Sequence, residues 1–249
     1  MSADPTEVEA KFAVGNRAAI LAVIERGAPA ELAGFEPAGP SELREVVDRY
    51  VDTQGEPGAL STFGYRARLR TEHRQTTLTI KGEAHRDGVI TERLELEGPA
   101  TLRLDPSSWP PSVARDRLLS LLAAAAGAGT GAGPTTDPAR GPGTSDGRLR
   151  VVASLRQHRH VRRFRRSGTI VEISLDELEA PGGRSAAEGA PADATGSPAQ
   201  RQRIELEIEL KAGDRSDLAD LVAALSATSG LRPALGSKRD FAIGAANRR

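Results

Sequence analysis

Residues 7–12 read Glu7-Val8-Glu9-Ala10-Lys11-Phe12, with a charge at every second position and small or apolar residues between. A β-strand sends successive side chains to opposite faces, so Glu7, Glu9 and Lys11 share one face while Val8, Ala10 and Phe12 share the other. The pattern recurs in Tyr65-Arg66-Ala67-Arg68-Leu69-Arg70, Leu78-Thr79-Ile80-Lys81 and Arg93-Leu94-Glu95-Leu96-Glu97. It returns in Val171-Glu172-Ile173-Ser174-Leu175-Asp176 and in Ile204-Glu205-Leu206-Glu207-Ile208-Glu209-Leu210. Each segment has one apolar face able to pack on helices and one ionic face.

A coarse reading places strands at 7–14, 43–53, 64–72, 76–83, 89–98, 149–165, 168–178 and 202–211. Helices are predicted at 16–26, 112–125, 214–228 and 236–243. Asn16 is a natural cap for the first helix, and Asp214 or Ser216 for the later one. About eight antiparallel strands can close into a barrel with a fillable interior. The residues by themselves point to an α+β fold, an antiparallel sheet of about eight strands with helices packed outside. Residues 127–148 and 180–200, rich in Gly, Ala, Pro, Thr and Ser, read as disordered insertions into one domain spanning 1–249.

Composition removes several function classes. The 249 residues carry 34 Lys+Arg against 34 Asp+Glu, so no net field draws the chain to nucleic acid or a membrane surface. Cysteine is absent, which excludes disulfides, thiolate metal sites and a cysteine nucleophile. The N-terminus shows no signal-peptide pattern and the longest apolar run, 118–126, is too short to span a bilayer, so a cytoplasmic location is expected. Of the 4 histidines, none has metal-ligand spacing. The Gly-rich stretch 127–133 lacks the strand and the Lys-Ser/Thr ending of a phosphate loop. The basic run Arg162 to Arg166 reads as a solvated hairpin tip, and Trp109 as the anchor of the turn before the central helix.

If the sheet closes, its ionic faces become a lumen. Burying many ions is costly unless they are paired, hydrated or holding a ligand. Carboxylates suit hard divalent cations, and guanidinium and ammonium groups suit phosphate oxygens, so the two together suit a polyanion accompanied by metal.

These segments together resemble the CYTH superfamily, the triphosphate tunnel metalloenzymes. Glu7-Val8-Glu9-Ala10-Lys11 is similar to the family's N-terminal Glu-x-Glu-x-Lys strand. Tyr50-Val51-Asp52-Thr53, Arg66-x-Arg68, Lys81 in Thr79-Ile80-Lys81-Gly82, and Arg93-x-Glu95-x-Glu97 follow in the family's order. So do His158-Arg159, Ile173-Ser174-Leu175-Asp176-Glu177, Glu205-x-Glu207-x-Glu209 and Ser237-Lys238.

The resemblance implies an α+β fold built on a closed antiparallel eight-stranded β-barrel, the triphosphate tunnel, with helices packed outside, binding a triphosphate or polyphosphate with Mg2+ or Mn2+. By that resemblance Glu7, Glu9, Asp176, Glu205 and Glu207 would hold metal, with Glu95, Glu97, Glu172 and Glu209 as secondary candidates. Lys11, Arg66, Arg68, Lys81, Arg93, Arg159 and Lys238 would hold phosphate, and Glu7, Glu9, Lys11 and Lys81 would carry the catalysis. Whether Arg156 or Arg159 faces inward stays open, because a slip of one residue exchanges faces. The expected activity is metal-dependent hydrolysis of inorganic tripolyphosphate or a small organic triphosphate. A non-catalytic polyphosphate or nucleotide binder and an adenylate cyclase are the alternatives.

Overall fold

A computed structural model of the chain describes residues 5–130, 147–181, 201–228 and 230–246. The elements run β1 (Thr6–Val14), α1 (Arg17–Arg26), β2 (Glu36–Pro37), β3 (Glu42–Thr53), α2 (Ala59–Thr62), β4 (Arg66–Glu72), β5 (Gln75–Asp87) and β6 (Ile90–Ala100). They continue with α3 (Val113–Thr130), β7 (Leu149–Arg166), β8 (Thr169–Ala180), β9 (Arg201–Ala212), α4 (Arg215–Ser226), β10 (Leu231–Pro233) and α5 (Lys238–Ala246).

The hydrogen-bonded order is β10-β1-β6-β5-β4-β3-β7-β8-β9, and β9 pairs again with β1. Eight of the strands therefore form a closed antiparallel cycle, the connectivity of an eight-stranded barrel. The short β10 and β2 lie off that cycle, antiparallel to β1 and β7. Neither was foreseen, since each has two or three residues and includes proline; a long partner strand supplies their pairing.

The chain divides into two compact units. One is built mainly from Thr6–Val47, Ala84–Arg93 and Leu155–Arg249. In it Phe12, Ile173, Leu175, Leu206 and Ile208 pack with Ile20 and Ile24 of α1 and with Leu218, Leu221 and Leu225 of α4. Val8 is partly buried against the same cluster. Asn16 caps α1 by accepting from Ala19 N at 3.1 Å, and Asp214 caps α4 by accepting from Ser216 N at 2.8 Å.

The other unit is built mainly from Asp48–Glu83 and Leu94–Ser154. Its core gathers Leu69, Leu78, Ile80 and Leu96 with Leu118, Leu121 and Leu122 of α3, and Leu94 packs partly buried against it. Trp109 is buried there and donates from Nε1 to Arg103 O at 2.8 Å, anchoring the turn before α3. Asp52 proves structural: its carboxylate accepts from Leu60 N at 2.9 Å and Ser61 N at 3.2 Å, and so starts α2. Gly58 must lack a side chain, because a Cβ there would lie 2.4 Å from that carboxylate.

Two expectations change. Helix α3 runs to Thr130, so residues 127–130 are helical rather than the start of an insertion; alanines 123–126 are strong helix formers, and a glycine costs only about 1 kcal/mol. The remainder of that insertion, from 131 to 146, and residues 182–200 of the second lie outside the described residues. The basic run is not a free hairpin tip. Arg162 donates to Ile24 O at 3.0 Å and Glu25 O at 2.8 Å, at the end of α1, and Arg166 donates to Ala33 O at 2.8 Å and pairs with Asp217 and Asp220. Among the described residues no helix is long and apolar enough to cross a membrane.

Candidate active site

Cross-strand register builds the ionic face of the first unit. Arg159 on β7 faces Asp176 on β8, which faces Glu205 on β9, so these three stand in one row. The next row holds Ser174 on β8, Glu207 on β9 and Lys11 on β1. Side chains directly opposite in antiparallel strands point the same way, which brings together residues far apart in sequence. Helix α5 adds Lys238, 5 % exposed, to the same group.

The charges interlock. Asp176 has no exposed surface; its Oδ1 accepts from Arg159 Nε at 2.8 Å, and its Oδ2 accepts from Lys238 Nζ. Lys238 Nζ also lies 2.9 Å from Glu207 Oε2, and Arg159 Nη2 donates to Ser174 Oγ at 2.7 Å and Glu207 Oε2 at 3.2 Å. Lys11 Nζ sits 2.7 Å from Glu207 Oε1 and 3.2 Å from Glu9 Oε1. Arg93 Nε donates to Glu7 Oε2 at 2.9 Å while its Nη2 donates to Glu9. The register settles the choice within β7: Arg159 joins this group, whereas Arg156 is exposed.

The electrostatics follow from that packing. Burial opposes the charge on Lys11, yet Glu207 and Glu9 outweigh it and raise its pKa above the ordinary lysine range. Burial likewise opposes the charge on Glu207, but Lys11, Lys238 and Arg159 hold its carboxyl well below the usual range. Glu205 goes the other way: burial and the neighbouring Glu207 charge raise its pKa.

Glu205 is 1 % exposed, and neither carboxylate oxygen accepts a hydrogen bond among the described residues, although Arg203 Nη2 lies 2.6 Å from Oε1. A buried carboxylate lacking aligned donors, among other hard oxygen ligands, fits a divalent cation. Arg203 was not singled out from sequence. The period of two that selects Glu205 selects it as well, one step back along β9. Ser174, a further participant, carried no signal beyond its position in an alternating strand.

The second unit has its own ionic face. Arg66 on β4 faces Lys81 on β5, and Arg68 faces Thr79. Lys81 Nζ lies 3.2 Å from Glu95 Oε1, and Arg68 Nη2 lies 3.9 Å from the same oxygen. Asp48, fully buried on β3 and missed in the sequence, binds Arg68 and Arg70. Its phase was hidden because charged Arg49 follows it on the opposite face.

The secondary candidates have local partners. Glu97 is exposed and accepts from Thr79 Oγ1 at 3.0 Å, Glu172 accepts from Arg163 Nε at 3.2 Å, and Glu209 pairs with Lys211 at 2.6 Å.

A family profile described as the CYTH domain matches residues 5–239, a span that takes in all of these residues. The chain belongs to the CYTH domain family. Its fold is shared with a candidate adenylyl cyclase from Hippeastrum for which a dominant triphosphatase activity is reported, at 16 % identity, 96 % coverage of both chains and a TM-score of 0.53. A candidate adenylate cyclase from Bacillus halodurans aligns at 14 % identity and a TM-score of 0.49, over 95 % of this CYTH domain and 98 % of that chain. Among curated proteins no match to this CYTH domain was found.

Proposed function

We propose that the chain acts as a single CYTH-like domain that hydrolyses inorganic tripolyphosphate or a small organic triphosphate with Mg2+ or Mn2+. The observation that carries this reading is the interlocked set of Glu207 and Asp176 with Lys11, Arg159 and Lys238, beside the unaligned carboxylate of Glu205. A simple anion binder needs the cations and gains nothing from buried carboxylates, whereas metal-assisted phosphoryl transfer uses both. The triphosphatase activity of the Hippeastrum relative is consistent with it.

In this reading Glu7, Glu9, Asp176, Glu205 and Glu207 would hold the cation, which supplies Lewis-acid polarisation of the phosphoryl oxygens when bound. Lys11, Arg93, Arg159 and Lys238 exchange carboxylate partners for phosphate oxygens as substrate enters, and stabilise charge developing on the leaving group. Arg66, Arg68 and Lys81 serve phosphate in the same way. A carboxylate orients the attacking water, so no covalent nucleophile is required. Phosphate release from tripolyphosphate, thiamine triphosphate and ATP, each with Mg2+ and with Mn2+, tests this. Metal-dependent release from at least one substrate, abolished by chelation, is expected. Cyclic nucleotide formed from ATP would assign a cyclase, and triphosphate binding without turnover would assign a binding module.

A further inference from the structure

Strand β4 carries arginine at every second position, Arg66, Arg68 and Arg70, on the face opposite Ala67 and Leu69 of the apolar core. Strand geometry spaces such residues about 6–7 Å apart, which would make a continuous cationic row. The three are not equivalent. Arg70 is locked onto Asp48, Nε to Oδ1 at 2.8 Å and Nη2 to Oδ2 at 2.9 Å, a bidentate fork on a carboxylate with no exposed surface. Arg68 makes a single longer contact to that carboxylate, Nη1 to Oδ2 at 3.3 Å, and its buried Nε has no hydrogen-bond partner among the described residues. Arg66, the register partner of Lys81, has neither hydrogen bond nor ion pair among the described residues. One step beyond Arg70 on the same face stands Glu72, an anion. Along β4 the row is open at Arg66, loosely engaged at Arg68 by Asp48 and Glu95, neutralised at Arg70 and reversed at Glu72.

We infer that Asp48 is a specificity-determining residue that limits the length of the phosphate chain this face accepts. The inference rests on the reading above that Arg66, Arg68 and Lys81 hold phosphate. By engaging both donors of one edge of the Arg70 guanidinium, Asp48 withdraws that cation from the ligand set, so the row ends at Arg68. A chain one phosphoryl group longer finds no available cation at the next step and meets the charge of Glu72 beyond it. Discrimination thus comes from a missing attraction and an added repulsion, the two usual sources of specificity.

Calorimetric dissociation constants of inorganic tripolyphosphate and tetrapolyphosphate for the metal-free full chain test this. The parent should bind tripolyphosphate more tightly. Asp48→Asn should raise the relative affinity for tetrapolyphosphate about tenfold, the worth of one charge-assisted hydrogen bond. Arg70→Lys breaks the fork while keeping the charge, and should shift the ratio in the same direction; where Asp48→Asn fails to fold, this variant decides. Asp48→Asn combined with Arg70→Met removes both members of the pair and should restore the parental ratio. A ratio that stays parental in the folded single variants overturns the inference. A parent that binds both chains yet releases no phosphate with either metal sinks the hydrolase reading alone, and a parent that binds neither overturns both.

Discussion

Lys11 and Glu207 are register partners on β1 and β9, and their charged atoms meet at 2.7 Å. They are separated by nearly the whole chain, yet each sets the other's charge: Glu207 raises the lysine and Lys11 depresses the carboxylate. Such a pair compensates the cost of burying each charge alone.

Glu9→Gln and Lys11→Met should fail differently. Glu9 lies against both Lys11 and Arg93, so the amide keeps its size but loses the charge that attracts a cation. Metal-dependent hydrolysis should fall on the order of a hundredfold with tripolyphosphate binding retained. Under the proposed function Lys11→Met would remove a phosphate contact and should raise KM as well as lower kcat. Steady-state kinetics with binding by calorimetry separate the two; equal, modest effects would mean that β1 is only a salt-bridged wall.

Asp176→Asn should destabilise the protein. The carboxylate has no exposed surface and holds both Arg159 and Lys238, so the amide removes the nearer counter-charge of two buried cations and leaves them to share Glu207. Breaking a buried ion pair from one side costs about 3–5 kcal/mol. Urea unfolding followed by circular dichroism measures the loss, and an unchanged midpoint would refute the structural role.

Asp217 gives the protein an acid-sensitive contact. The Thr169 hydroxyl and the Arg166 guanidinium hold its carboxyl below the ordinary aspartate value. A depressed folded-state pKa contributes stability that is complete above the unfolded value of about 3.9 and is lost as pH falls through the folded value. Asp217→Asn should therefore lower the melting temperature at neutral pH, and the gap from the parent should close as the pH drops below about 4. A gap independent of pH down to acid unfolding contradicts this linkage.

Arg162→Met should loosen the end of α1 without touching the ionic faces. Its guanidinium serves Ile24 O, Glu25 O and Gly39 O, and those carbonyls lose a charged donor. A loss of about 1–3 kcal/mol is expected, with triphosphate affinity unchanged. Hydrogen exchange across residues 17–26 reads the local effect; protection equal to that of the parent would show that the contact is not needed.

The sequence by itself determined the strands and their two faces, because a period of two is a local property that survives without any partner. Glu7, Glu9, Lys11, Glu205 and Glu207 could be placed on ionic faces, and Asn16 and Asp214 at helix starts, from that periodicity and from capping chemistry alone. Tertiary structure alone decided who meets whom. That Arg159 rather than Arg156 joins Asp176 depends on the β7–β8 register, which is fixed by hydrogen bonds across strands. That Asp52 starts a helix while Asp48 locks Arg70 depends on what the fold brings within about 3 Å of each carboxylate. Both are aspartates on one strand, and no local pattern distinguishes them.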